Sequence, residues 1–143
     1  MMKTRSRAVA GVAGCLVAAA LVASGCGSSG SSSNAPGVTK TSVLIGSHQP
    51  LTGPAAPGYS EIAPAAKAFF QYLNAQGGVN GRKINLIYKD DGYNPTKTVT
   101  VVKQLVLQNK VFAIWGGLGT PTHTKVVGFL NSSRVPDLFV SSG

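Results

Sequence analysis

VFAIWGGLGTPTHT, residues 111–124, is the stretch on which the fold turns. It opens with a short apolar run, residues 111–115, too short for a helix and rich in β-prone side chains. It therefore reads as a buried strand. Gly116 and Gly117 let the backbone turn sharply and approach a partner closely. Thr120 has the character of a helix N-cap, and Pro121 suits the first helical position. A strand, a glycine-rich turn and a capped helix start make a cradle for an anion, because free N–H groups and the helix dipole point outward there. A Gly-Gly pair that serves only as a strand-to-helix turn reads equally well. This stretch by itself leaves both open.

The same alternation extends to either side. Residues 42–46 (SVLIG) and 83–89 (KINLIYK) read as strands one and two, and 137–141 (DLFVS) as strand four. Helix one is expected over 60–76, with Ile62, Ala66, Phe69 and Leu73 on one face. Pro64 is tolerable there only near the first turn, and Gly77-Gly78 stops the helix. Helix two is expected over 95–109 with Val99, Val102 and Val106 buried, and helix three over 121–132 with Val126, Val127 and Leu130 buried. The order βαβαβαβ implies an α/β fold, a parallel sheet in a Rossmann-like lobe with helices on both faces.

The N-terminus is organised differently. Lys3, Arg5 and Arg7 precede an apolar run over 8–23, and Ala23-Ser24-Gly25 precede Cys26. A basic start, an apolar middle and small residues at the end define a secretory signal over 1–25. The apolar run is short for a membrane span of about 20 residues. GSSGSSS follows Cys26 and opens a flexible linker over 26–41. Small residues directly before a Cys resemble the signal of bacterial lipoproteins, in which the thiol is lipidated. That implies lipidation at Cys26 and a membrane contact through a lipid anchor. With Cys15 removed, one Cys remains, and no disulfide within the chain is possible.

The 143 residues carry a formal net charge of +9, with 43% hydrophobic and 12% charged residues. That is a globular composition with room for one modest core. From Cys26 onward ten Lys or Arg face Glu61, Asp90, Asp91 and Asp137. The basic residues are scattered rather than gathered in a stripe with aromatics, which argues against nucleic acid as a partner. Enzyme signatures are missing. Strand one is followed by SHQPLTG rather than G-x-G-x-x-G, and no Gly-Lys-Ser/Thr run exists. Cys and His lack metal-ligand spacing, and no G-x-S-x-G elbow occurs. No catalytic residue, metal or cofactor is expected.

Every strand of such a sheet exits at one edge, where ligands bind in open α/β folds. The exits over 47–59 and 116–122, with Ser142 at the end of strand four, are rich in glycine and small hydroxyl residues. They suit a small polar ligand. His48 and His123 read as polar surface, Asp90-Asp91 as an exit turn and Trp115 as core. Tyr59, where a long loop meets a helix, is placed to pack on a ligand side chain.

From about residue 42 to 143 the chain resembles the first lobe of Leu/Ile/Val-binding-type proteins, type I solute-binding proteins of ABC importers. The resemblance rests on VLIGSHQPLTGPAAPGY, on FFQYLNAQGGVNGRKINLIYKDDGYNPTKTV, on the glycine-rich third exit and on RVPDLFVSSG. It implies a two-lobed clamshell that closes on a small polar ligand, such as a branched-chain or related amino acid, and hands it to an ABC permease. It also implies an α-carboxylate held at Gly119, Thr120 and Thr122, with further contacts from Ser141 and Ser142. The family often has a Ser-rich run where this chain has Gly-Thr-Pro-Thr. The second lobe, with its ammonium-binding acid, is not in this sequence, so a fragment is expected. A sensing domain of the same fold that acts on a signalling partner is the alternative.

Overall fold

The computed structural model describes residues 35–141. The signal segment, Cys26 and Ser142 lie outside them. The strands are β1 (Ser42–Gln49), β2 (Lys83–Asp90), β3 (Ala113–Trp115) and β4 (Asp137–Leu138). Between them run a single turn α1 (Ala56–Tyr59), then α2 (Ile62–Ala75), α3 (Pro95–Lys103), α4 (Thr120–His123) and α5 (Val127–Ser132). A wider turn over Gln104–Gln108 prolongs α3. All neighbouring strands are parallel, in the order β2-β1-β3-β4. The expected α/β lobe with a parallel sheet is therefore what forms. The chain leaves β1 toward one edge and returns to β3 on its other side, so the topological switch point lies between the exits of β1 and β3.

Side chains alternate across β1 and sort the core onto two faces. Leu44 faces a cluster built by Val101, Val102, Leu105, Val106, Ile114, Val126 and Leu130, so α3 and α5 cover that side. Ile45 faces Leu86, Ala113, Ala66, Phe70 and Trp115, so α2 covers the other. Gly46 belongs to the first face, where an added Cβ would stand 3.2 Å from a Leu105 methyl. Asn94 caps α3, its side chain accepting from the N–H groups of Thr96 and Lys97, and Pro95 takes the first helical position.

Several expectations shift. β1 runs to Gln49 rather than stopping at Gly46, because its ladder with β2 continues to the pair Gln49–Asp90. The inward stripe of α2 is Ala63, Ala66 and Phe70 rather than one centred on Phe69, which is 57% exposed. Phe70 sets this rotation by meeting Trp115 edge to face at 5.4 Å, and Asn74 completes it by bonding both backbone groups of Ile84. The third helix is two pieces, broken over 124–126, and Val127 is exposed while Val126 and Leu130 are buried. Trp115 is only partly buried and lines an open apolar groove beside α2. Residues 35–41 turn back on β1 through a Val38–Val43 bridge and a Leu44 N–H to Gly37 bond.

Candidate functional site

The sheet's carboxyl edge is closed by hydrogen bonds between strand exits. The Gly119 N–H donates to the Ser141 carbonyl at 2.8 Å, and the Ser141 N–H to the Gly117 carbonyl at 3.0 Å. The Leu118 N–H reaches the His48 carbonyl at 3.3 Å. The structure thus brings together Gly119, Thr122 and Ser141, three of the residues expected at the site. The Thr122 hydroxyl is buried and turned inward onto the carbonyls of Leu118 (2.6 Å) and Gly119 (2.8 Å). Neither the Gly119 N–H nor the Thr122 hydroxyl is left over for a ligand.

Thr120 differs from its expected role. The N-cap of α4 is Gly119, which makes no side-chain cap bond, and Thr120 is the first helical residue. Its side chain is exposed, and among the described residues no hydrogen bond uses its hydroxyl. The N-cap position has φ 103° and ψ 123°, a conformation open to glycine and closed to threonine. Tyr59 is 44% exposed on the β1 exit, and no hydrogen bond among the described residues joins it to the β3 exit.

The β1 and β2 exits are clamped by Asp90. Its carboxylate accepts from the N–H groups of Leu51, Thr52 and Gly92, from the Thr52 hydroxyl at 2.7 Å and from the Lys97 ammonium at 2.6 Å. Burial works to raise its pKa. The Lys97 ammonium, the Thr52 hydroxyl and the backbone donors outweigh that and hold the carboxyl well below the usual carboxylate range.

Beneath the β3 exit lies a row that the sequence reading missed. His48 Nδ1 is 2.8 Å from Asp91 Oδ2, His48 Nε2 is 3.1 Å from His123 Nδ1, and His123 Nε2 is 2.6 Å from Asp137 Oδ2. His48 and Asp91 are 0% exposed and His123 5%, which overturns the expectation that the histidines are surface residues and Asp91 merely part of an exit turn. Asp91 also accepts from the Tyr93 N–H and the Thr98 hydroxyl, each at 2.9 Å. Gly117 rests directly on the histidine pair, where an added Cβ would lie 2.9 Å from His48 Cδ2 and 3.0 Å from His123 Nδ1. Gly119 is packed under Tyr93, whose Cε2 would stand 2.5 Å from an added Cβ. Both glycines are therefore required by packing within the lobe. The one available signal for the row was that His48 shares the inward parity of Leu44 and Gly46, and reading it required the true end of β1. Among the described residues no group of three or more His, Cys, Asp or Glu is arranged to hold a metal ion, and no helix is long and apolar enough to cross a membrane.

Leu/Ile/Val-binding protein homolog 2 of Brucella abortus (strain 2308) is 32% identical over 89 residues, covering 60% of this chain and 24% of that protein. A fatty acid ABC transporter substrate-binding protein from Thermomonospora curvata superposes with a TM-score of 0.63 at 34% identity, over 71% of this chain and 26% of that one. A solute binding protein of an ABC transporter from Rhodopseudomonas palustris BisB5, in complex with 3,4-dihydroxy benzoic acid, gives 0.58 at 28% identity, over 71% and 28%. The chain thus spans about a quarter of the length of these relatives. The profile of the family described as periplasmic binding protein matches residues 42–143. The parallel sheet, its switch point between β1 and β3 and this match together place the chain in the periplasmic binding protein family.

Proposed function

We propose that this chain is one lobe of an extracytoplasmic solute-binding protein of an ABC importer, and that the ligand is a small carboxylate such as a branched-chain or related amino acid. The observation that carries this reading is the β3 exit at the switch point, where Thr120 offers an exposed hydroxyl that no other described residue uses. The named ligands of the relatives also support it. Leucine, isoleucine and valine, a fatty acid and 3,4-dihydroxy benzoic acid differ in their tails and share a carboxylate. Thr120 and the backbone N–H of Thr122 would hold that group, Tyr59 and Ser141 would line the cleft beside it, and Ser142, outside the described residues, would add a contact. A second lobe closing over the ligand would bury it and present the closed form to a permease.

The test is Thr120→Ala in the two-lobed protein. A hydrogen bond to a charged group is worth roughly 1.5–3 kcal/mol, so affinity for the carboxylate ligand should fall about 10- to 150-fold. Thr120→Ser, which keeps the hydroxyl, should bind nearly as wild type. Because Thr120 makes no cap bond, stability should change by no more than about 0.5 kcal/mol. Calorimetry and melting measured side by side decide it, and unchanged affinity in Thr120→Ala removes Thr120 from the site.

Export and anchoring complete the proposal. The signal over 1–25 and the Gly/Ser run after Cys26 support lipidation of Cys26 and retention on the outer face of the membrane. In a bacterial host the wild-type chain should partition into detergent and carry a lipid by mass spectrometry, and Cys26→Ser should do neither. Equal membrane association of both forms, with no lipid on either, rules the anchor out.

A further inference from the structure

The row Asp91–His48–His123–Asp137 touches no ligand in the reading above, yet it ties together four segments: β1, the β2 exit, α4 and β4. Its two imidazole planes differ by only 19°, with ring centroids 5.4 Å apart and facing nitrogens 3.1 Å apart. The rings therefore meet edge to edge, lone pair toward N–H, rather than face to face. Three hydrogen bonds strung between four groups take three protons. Two neutral imidazoles supply two of them. With each outer ring nitrogen donating to its carboxylate, the facing nitrogens would otherwise present two bare lone pairs to each other inside the protein, an unpaired arrangement that burial penalises.

We propose that His48 and His123 hold one shared proton beyond two neutral imidazoles, and that this proton fixes the β3 exit, making the pair positioning residues for the ligand loop. Gly117 lies on the pair and Leu118 bonds the His48 carbonyl, so the loop follows the rings. Only the consequence for ligand rests on the function proposed above. Negative charge is best held at Asp91, where Tyr93 and Thr98 also donate, while Asp137 Oδ1 has no partner among the described residues.

The charged and polar groups around the row supply no cation to its carboxylates among the described residues. From α3 come Lys97, committed to Asp90, and Thr98. From the β2 exit come Asp91 and Tyr93, from β4 Asp137, and from α4 His123 itself. Among the described residues neither Asp91 nor Asp137 pairs with a Lys or Arg. Asp90, whose carboxyl is held low, contributes stability that is lost as pH falls below about 4.

The experiment is nitrogen NMR of the folded 143-residue chain, which counts the protonated ring nitrogens. Three N–H protons on the four ring nitrogens, with a coupling across the hydrogen bond between His48 Nε2 and His123 Nδ1, are expected. Two ring N–H protons, or no coupling across that bond, overturn the proposal. The measurement involves no ligand, so failure here leaves the carboxylate site standing, and failure of Thr120→Ala leaves the proton row standing.

Discussion

Asp91→Ala should destabilise the lobe by about 2–6 kcal/mol, because the buried His48 ring and the Tyr93 N–H each lose their acceptor at about 1–3 kcal/mol apiece. Asp91 is 0% exposed and receives the His48 ring, the Tyr93 N–H and the Thr98 hydroxyl. Thr98 keeps a second acceptor in the Asn94 carbonyl at 2.9 Å, but His48 and Tyr93 have no substitute among the described residues. Urea unfolding at pH 7 should show a large fall in midpoint with little change in slope. Asp91→Asn keeps the volume and one acceptor, so its loss should be smaller, about 1–3 kcal/mol. A midpoint for Asp91→Ala within error of wild type would mean that the row adds nothing to the fold.

Gly119→Ala is the second large effect, and it acts on the β3 exit directly. Its φ of 103° and ψ of 123° lie where side chains are strained, at about 1–3 kcal/mol. The added methyl would also stand 2.5 Å from Tyr93 and 2.7 Å from the Thr122 hydroxyl, and overpacking costs about 1–3 kcal/mol more. The expected loss is therefore about 2–6 kcal/mol. Combining it with Tyr93→Ala isolates the ring's share, since removing the ring relieves that contact and leaves the backbone strain and the Thr122 approach. The double-mutant cycle should show a favourable coupling of about 1–3 kcal/mol. A coupling near zero would assign the cost to the backbone and to the Thr122 contact.

These two substitutions bear on how a glycine-rich strand exit is to be understood. Residues 116–119 carry the composition of a ligand cradle, but the contacts of Gly117 and Gly119 are with His48, His123, Tyr93 and Thr122 of the same lobe. Close backbone approach was rightly expected, and the partner approached is the protein itself. What faces outward is Thr120, freed from capping because Gly119 takes that place.

Local patterning determined the sheet. Strand-length apolar runs alternating with helical ones leave a parallel βα lobe as the economical way to bury both, and β1 to β4 follow that order. The edge proposed to carry the site was legible for the same reason, since every parallel strand exits on one side. Tertiary structure alone decided the rest. Polar residues 47–49 resemble a loop until the ladder with β2 carries β1 to Gln49, and that extension turns His48 inward. His123 looked like surface because α4 is a single turn, whose inward side no periodicity can reveal. Asp91 and Asp137 stand 43 and 14 residues from the histidines they meet. Hydrophobic periodicity reports which residues leave water, whereas a buried polar row depends on partners that only the folded chain brings within hydrogen-bonding distance.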